Sequence, residues 1–256
     1  TELKPAERDH YIIVDIGKHE RFIAEHIPGA VHIAPADTQN TNPPPGLIPD
    51  DNALNRMLNG IGLSPDKHLI VYDDEGGGWA GRLIWTLDVL GHNNYAYLNG
   101  GLVAWRDESR ELETSAKAPT PVDVSPKIVN TEFIADVEEI LAGLKNNSIK
   151  VWDARSPEEY RGEKVLAQKG GHIPGAINCE WTSMMDPANG LRIREDAQAQ
   201  LKQMGLDQNT SIITHCQSHH RSGFTYILGK LLGFDIKAYD GSWSEWGNHP
   251  TTPVEH

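Results

Sequence analysis

The chain has 256 residues and a mass of 28.3 kDa, 38% of them apolar and 23% charged, which is a globular composition with room for two ordinary domains. Thirty-six acidic against 23 basic residues leave a net charge of −13, and no Lys/Arg run forms a basic patch, so nucleic acid is excluded as a partner. No apolar run approaches the ~18 residues a membrane span needs, and Thr1 to His10 carry no apolar signal core, so a cytoplasmic, non-membrane protein is expected.

In chain order, Ile12-Ile13-Val14-Asp15 reads as a short strand, followed by a polar helical stretch containing Phe22 and then by His26-Ile27-Pro28-Gly29-Ala30. Leu69-Ile70-Val71-Tyr72 is a second buried strand. It enters a polar loop and a helix from about Ala80 to Leu90, which Gly91 stops by supplying a left-handed terminus. Gly100-Gly101-Leu102-Val103-Ala104-Trp105 follows. After Ser115 to Pro126, a span with three Pro and no helical periodicity, the series returns. Asn130 or Thr131 is expected to cap a helix running to about Lys145. The strand Ile149 to Asp153 is followed by a stretch containing Tyr160, and His172-Ile173-Pro174-Gly175-Ala176 repeats the first motif at an offset of 146. A strand at Ser211 to Thr214, a loop, a helix to Leu232-Gly233 and Gly241-Ser242-Trp243 complete the second copy. Matches in one order at offsets between 138 and 146 mark a duplication. Strands alternating with helical patterns predict the α/β class, two tandem domains each built on a mostly parallel sheet flanked by helices. The expected division is 1–114, a linker at 115–126, and 127–256.

The copies differ where chemistry would sit. After its strand the second half reads His215-Cys216-Gln217-Ser218-His219-His220-Arg221-Ser222-Gly223, where the first reads Asp73-Asp74-Glu75-Gly76-Gly77-Gly78-Trp79-Ala80-Gly81. Aligned this way, Asp74 stands at the position of Cys216, and Gly17 at that of Arg155, so the first half is expected to lack both the sulfur and its cationic neighbour. A tight loop between strand and helix aims backbone N–H groups at its centre. A thiol there should fall from ~8.5 toward neutrality and act as a nucleophile. Arg221, His219, His220, Ser218 and Gln217 are candidate substrate-binding residues on the loop. Arg155, beside Asp153 at a strand end, and Trp181, after the repeated motif, are candidates from outside it. Asp15 and Asp153 occur in both halves and are expected to cap the turns that follow them.

Alternatives are weaker. The only other cysteine, Cys179, reads as inert packing, and two thiols in this length describe no disulfide framework. Cys216, His219 and His220 have metal-like spacing, but one short loop offers few ligands in tetrahedral geometry, so no metal or cofactor is expected. A cysteine phosphatase places five residues between Cys and Arg, whereas four separate Cys216 from Arg221.

The two His-Ile-Pro-Gly-Ala motifs, Asp153-Ala154-Arg155-Ser156 and the loop beginning at Cys216 resemble the tandem-domain rhodaneses, the thiosulfate sulfurtransferases, over essentially the whole chain. The loop Cys-Gln-Ser-His-His-Arg is most similar to the bacterial Azotobacter-type loop Cys-Gln-Thr-His-His-Arg. It departs from the animal-type Cys-Arg-Lys-Gly-Val-Thr and the mercaptopyruvate-type Cys-Gly-Ser-Gly-Val-Thr. The resemblance implies a persulfide on Cys216 in a catalytic second domain and a silent first domain. It implies transfer of sulfane sulfur from thiosulfate to cyanide or another thiophilic acceptor by double displacement. A persulfide carrier serving a protein partner is the alternative, and a monomer is expected because the chain is an internal pseudo-dimer.

Overall fold

The computed structural model describes residues 10–40, 42–116 and 118–256. Most of the opening stretch read for a signal core, and Lys117 of the expected linker, lie outside them. Two four-stranded parallel sheets carry the chain. In the first half, β1 (Tyr11–Ile16) pairs with β2 (Val31–Ile33) and β3 (His68–Asp73), and β3 pairs with β4 (Tyr95–Tyr97). In the second, β5 (Ile149–Asp153) pairs with β6 (Ile177–Asn178) and β9 (Ser211–His215), and β9 pairs with β10 (Ile236–Ala238). The orders β2-β1-β3-β4 and β10-β9-β5-β6 are one order read from opposite edges, as a duplication requires. A short antiparallel pair, β7 (Met185–Asp186) and β8 (Arg192–Ile193), lies in the second half outside its sheet.

The helices of the first half are α1 (His19–Ala24), α2 (Asp51–Gly60), α3 (Gly78–Val89) and α4 (Gly101–Asp107). Those of the second are α5 (Val137–Asn146), α6 (Pro157–Tyr160), α7 (Ala197–Gln203), α8 (Arg221–Leu231) and α9 (Ser242–Trp246). The cap of α5 is Asp136, whose carboxylate accepts the Glu139 N–H at 2.8 Å, and not Asn130 or Thr131. Asn130 is otherwise engaged: its amide donates to the Asp88 carbonyl at 2.8 Å, tying the first strandless stretch of the second half to the end of α3.

The repeated His-Ile-Pro-Gly-Ala motif is a turn. Ala30 N–H donates to the Ile27 carbonyl at 3.0 Å and Ala176 N–H to that of Ile173 at 2.9 Å. Pro sits second and Gly third, with φ +81° at Gly29 and +71° at Gly175, the conformation this turn demands of its third residue. The preceding His pairs through its backbone with Glu113 in one half and Glu255 in the other.

The halves meet along α3 and α8. Every residue of α3 except Trp79 is buried, the polar Arg82, Thr86 and Asp88 included, as a helix packed on all sides requires. Contact is close enough to require two glycines: a Cβ on Gly81 would stand 2.1 Å from the Gly223 carbonyl oxygen, and one on Gly223 would stand 2.4 Å from that of Gly78. Farther along, Asp88 of α3 accepts from Tyr226 at 2.8 Å and Lys230 at 2.5 Å, both on α8. One apolar core runs through both halves, including Leu83, Trp85 and Leu87 with Phe224, Tyr226 and Leu228. This packing brings the N-terminus of α8, and with it the Cys216 segment, against the first half.

Candidate active site

Pairing of β5 with β9 sets Asp153 opposite His215, so Cys216 is the first residue beyond the strand. Its side chain is fully buried. The segment from Cys216 to His220 turns back into α8, and α9 holds that turn from outside. Trp243 N–H donates to the Cys216 carbonyl at 3.0 Å and Ser244 N–H to that of Gln217 at 2.9 Å, so these carbonyls point away from the sulfur. The Ser242 hydroxyl accepts the N–H groups of Cys216 at 3.3 Å and His219 at 3.1 Å, while donating to the Tyr239 carbonyl at 2.8 Å. His219 and Ser242 adopt left-handed backbone, with φ +55° and +52°, and strain of that kind persists only where surroundings over-determine it. The N–H groups of Ser218 and Ser222 and the Ser222 hydroxyl are left to face the sulfur.

Burial by itself pushes the Cys216 thiol up, but the Arg221 charge and the donors of Ser222 and Ser218 outweigh it and hold the thiol below its ordinary value. Arg221 is aimed by Glu159 of α6 through two bonds, Nη1 to Oε2 at 2.6 Å and Nη2 to Oε1 at 2.9 Å. Burial pushes the Glu159 carboxyl up, yet Arg221 keeps it below the usual range, so the pair is ionised. This geometry suits an anionic sulfur: one fixed cation and several fixed donors around a buried atom.

The structure brings Cys216, Gln217, Ser218 and Arg221 together around the turn, and separates the other candidates. Gln217 donates from Nε2 to the Leu166 carbonyl at 3.2 Å, tying the turn to the neighbouring loop. His219 points backward, fully buried, with Nδ1 2.8 Å from the Ser222 hydroxyl and its ring edge-on to Trp85 of α3. His220 stacks on Trp79 at 4.0 Å and meets the edge of Trp181 at 5.4 Å, in a stack that bridges the halves. Trp181 is therefore an interface aromatic that also touches a residue of the turn. Arg155 lies behind the strand ends, bonded to Asp153 at 2.6 Å and to the Gly171 carbonyl at 2.8 Å, with its guanidinium over the Trp243 ring. Its N–H also donates to Asp153 at 3.0 Å, the turn-capping role read for that carboxylate. Cys179 sits apart, its thiol raised by burial and 3.6 Å from the Ser183 hydroxyl. Among the described residues no group of three or more His, Cys, Asp or Glu is arranged to hold a metal ion.

Two residues central to this arrangement were not singled out from the sequence. Glu159 had a signal: Ser156 followed three residues on by Glu159 is a capping box, present here with Ser156 Oγ accepting the Glu159 N–H at 3.4 Å. Ser242 had a fainter one, standing beside Gly241 where the first copy has two glycines.

The rhodanese-like domain profile matches twice, over residues 3–108 and 136–249. The chain belongs to the rhodanese-like family. It is 51% identical over 248 residues to a thiosulfate sulfurtransferase of Azotobacter vinelandii, spanning 95% of this chain and 90% of that one. A thiosulfate sulfurtransferase of Pseudomonas aeruginosa is 50% identical over 246 residues with the same coverage. A sulfur carrier protein of Thermus thermophilus is 30% identical over 244 residues, covering 90% of this chain and 85% of that one. Among solved structures, the anaerobic ergothioneine biosynthesis enzyme of Chlorobium limicola superimposes with a TM-score of 0.86 at 21% identity. That match covers 99% of this chain and 66% of the other, and it speaks to the fold.

Between the two rhodanese-like copies the register corrects the expected alignment. Asp15 pairs with Tyr72 as Asp153 pairs with His215, so the residue at the position of Cys216 is Asp73 and not Asp74. The Asp73 carboxylate collects the N–H groups of Glu75, Gly77 and Ala80 at 3.1, 2.8 and 3.0 Å. Asp74 instead lies 3.2 Å from Arg21 Nε, partly exposed. Nor is the cationic neighbour of the strand-end Asp lost with Gly17. Arg21 of α1 supplies it, bonding Asp15 through both terminal nitrogens, and a Cβ on Gly17 would strike its Nη2 at 2.0 Å.

Proposed function

We propose that the chain is a thiosulfate sulfurtransferase that works through a persulfide on Cys216. The Cys216 thiolate attacks the outer sulfur of thiosulfate, the sulfur–sulfur bond of the donor breaks, and sulfite leaves with the bonding pair. The resulting persulfide anion occupies the ring of donors that held the thiolate. Cyanide or a thiol then attacks the outer sulfur and departs with it, as thiocyanate or a persulfide, restoring the thiolate. The observation that carries this is the buried Cys216 sulfur, faced by the N–H groups of Ser218 and Ser222 and the charge of Arg221. Each of these stabilises negative charge that resides on sulfur at every stage. Gln217 and Ser218 complete the wall of the cup, and Arg221 binds the departing sulfite; His219, His220, Arg155 and Trp181 act from behind or beside it. The 51% identity to a curated thiosulfate sulfurtransferase supports the choice of donor.

Intact mass tests the proposal. Incubation with thiosulfate should add about 32 Da at Cys216, and cyanide should remove it with release of thiocyanate. No uptake of sulfur would overturn it. A second reading, a persulfide carrier that hands sulfur to a protein, draws on the likeness to the Thermus thermophilus carrier and on the exposed Val165 and Leu166 beside the Gln217 contact. Fast multiple turnover with small acceptors favours the enzyme, and loading without turnover favours the carrier. We place the protein in the cytoplasm as a monomer, divided at residues 115–126; no helix among the described residues is long and apolar enough to cross a membrane.

A further inference from the structure

The half without a nucleophile sends a buried cation toward the half that has one. Arg82 of α3 is fully buried, donates from Nε to the Thr38 carbonyl at 2.9 Å, and has no hydrogen-bond acceptor at Nη1 or Nη2. Its guanidinium lies over the Trp85 ring at 4.7 Å, and the edge of His219 meets that ring at 4.6 Å. His219 Nε2 is likewise buried without a hydrogen-bond partner, while Nδ1 lies 2.8 Å from the Ser222 hydroxyl, which itself faces the Cys216 sulfur. Buried polar atoms left unpaired cost free energy and call for an explanation in function or geometry.

We propose that Arg82, His219 and Ser222 form a polar relay across the boundary between the halves that stabilises anionic sulfur on Cys216. A cation beside a buried imidazole favours the neutral ring, with the proton on the nitrogen away from the cation. Burial and the charge of Arg82 both keep His219 uncharged. Nδ1–H then donates to Ser222 Oγ, and the Ser222 O–H is free to donate to the sulfur. All three are positioning residues; His219 and Arg82 act through Ser222. This rests on the sulfur chemistry proposed above, and it gives the first half a part in that chemistry.

Other titratable and charged groups surround the turn and set the background. Arg221 and His220 come from the start of α8, with Glu159 of α6 and Glu180 beside Arg221. His215, Asp153 and Arg155 stand behind the strand ends, and Glu75 of the first half faces His220. Asp240, before α9, opposes the relay: it is buried, it interacts with Arg82, and its carboxylate accepts the Ile48 N–H at 2.8 Å.

The experiment measures the pH dependence of Cys216 alkylation by iodoacetamide in the full chain carrying Cys179→Ser. Arg82→Met and His219→Phe should each raise the midpoint by about one pH unit, slowing alkylation below it about tenfold. Arg82→Lys keeps the charge, and His219→Asn can keep an N–H for Ser222; both should stay near the parent. Asp240→Asn should move the midpoint down, and it reads the relay even where Arg82 variants fail to fold. Midpoints unmoved in Met, Phe and Asn variants that have merely lost thermal stability would overturn the relay. Thiosulfate loading of the parent protein by intact mass is a separate readout. Failure to load defeats the sulfurtransferase assignment, whereas loading with unmoved midpoints defeats the relay alone.

Discussion

Asp73 occupies in the first half the place that Cys216 occupies in the second. By register Asp73 ends β3 while Cys216 is the first residue beyond β9, and each sits where the following turn and helix converge their N–H groups. The same scaffold gathers N–H donors around a carboxyl group in one copy and around a thiol in the other. Burial pushes the Asp73 carboxyl up against the pull of those donors, and the first copy is a closed version of the site, with its acceptor built in.

That relationship predicts the behaviour of Asp73→Asn. An amide offers one oxygen and two N–H donors where three backbone N–H groups converge at 3.1 Å or less. Leaving at least one buried donor unpaired should cost about 1–3 kcal/mol, lowering Tm by about 2–4 °C per kcal/mol for a chain of this size. Sulfur uptake at Cys216, read by intact mass, should persist. Equal stability of the variant would show that the three bonds contribute little.

The α3–α8 contact predicts a steeper response. Gly81→Ala places a methyl 2.1 Å from the Gly223 carbonyl oxygen, and backbone cannot yield as a side-chain tip can. Separation of the helices should cost about 1–3 kcal/mol or more and shift the turn that carries Cys216, so turnover should fall together with Tm. Gly60→Ala is the control, since a Cβ there meets nothing within 4 Å.

Much of this was legible in the residues. The duplication announced itself because the His-Ile-Pro-Gly-Ala turn needs Pro second and Gly third, and few sequences meet that demand twice. The parallel sheets followed from short apolar strands between helical stretches, and Cys216 stood out as the candidate nucleophile because one copy has a Cys there and the other lacks it. What escaped was set by register and long-range reach. Counting from the end of an apolar run cannot tell whether Asp73 or Asp74 faces the donors; only the pairing of Asp15 with Tyr72 decides it. Arg21 could replace a residue at position 17 because a long side chain from α1 reaches back to Asp15. Arg82 was invisible for a related reason: it serves a site whose other members lie well over a hundred positions later in the chain.

Ser242 predicts a loss that glycine does not repair. Its hydroxyl accepts the N–H groups of both Cys216 and His219. Ser242→Ala leaves two buried donors unpaired, at about 1–3 kcal/mol each, and keeps a Cβ in left-handed backbone. Ser242→Gly relieves the backbone but still lacks the hydroxyl. Both should alkylate and turn over more slowly at Cys216, with the glycine variant the more stable of the two by calorimetry. Full activity in Ser242→Gly would mean that backbone shape alone holds the turn.

The Arg221–Glu159 pair makes the sharpest prediction, because its two members should act in opposite directions on one thiol. Glu159 is 2% exposed and Arg221 18%, so removing either leaves its partner poorly solvated. Arg221→Ala strands a buried carboxylate, a loss of about 3–5 kcal/mol, and takes away the cation nearest the sulfur. Its alkylation midpoint should rise and its sulfur uptake should fail at neutral pH. Glu159→Gln removes the opposing charge while the amide can still accept from the guanidinium. Its midpoint should move down, with a weaker KM because Arg221 is no longer aimed from both nitrogens. Stability follows the carboxylate. Glu159 titrates below its usual 4.5 in the folded chain, so its contribution is fully present above that value and is lost as pH falls through the lowered one. Thermal melts between about pH 6 and pH 3 should therefore decline more steeply for the parent than for Glu159→Gln. Parallel decline would place the acid sensitivity in other carboxylates, Asp153 first, which burial raises but His215 and Arg155 hold below its usual value.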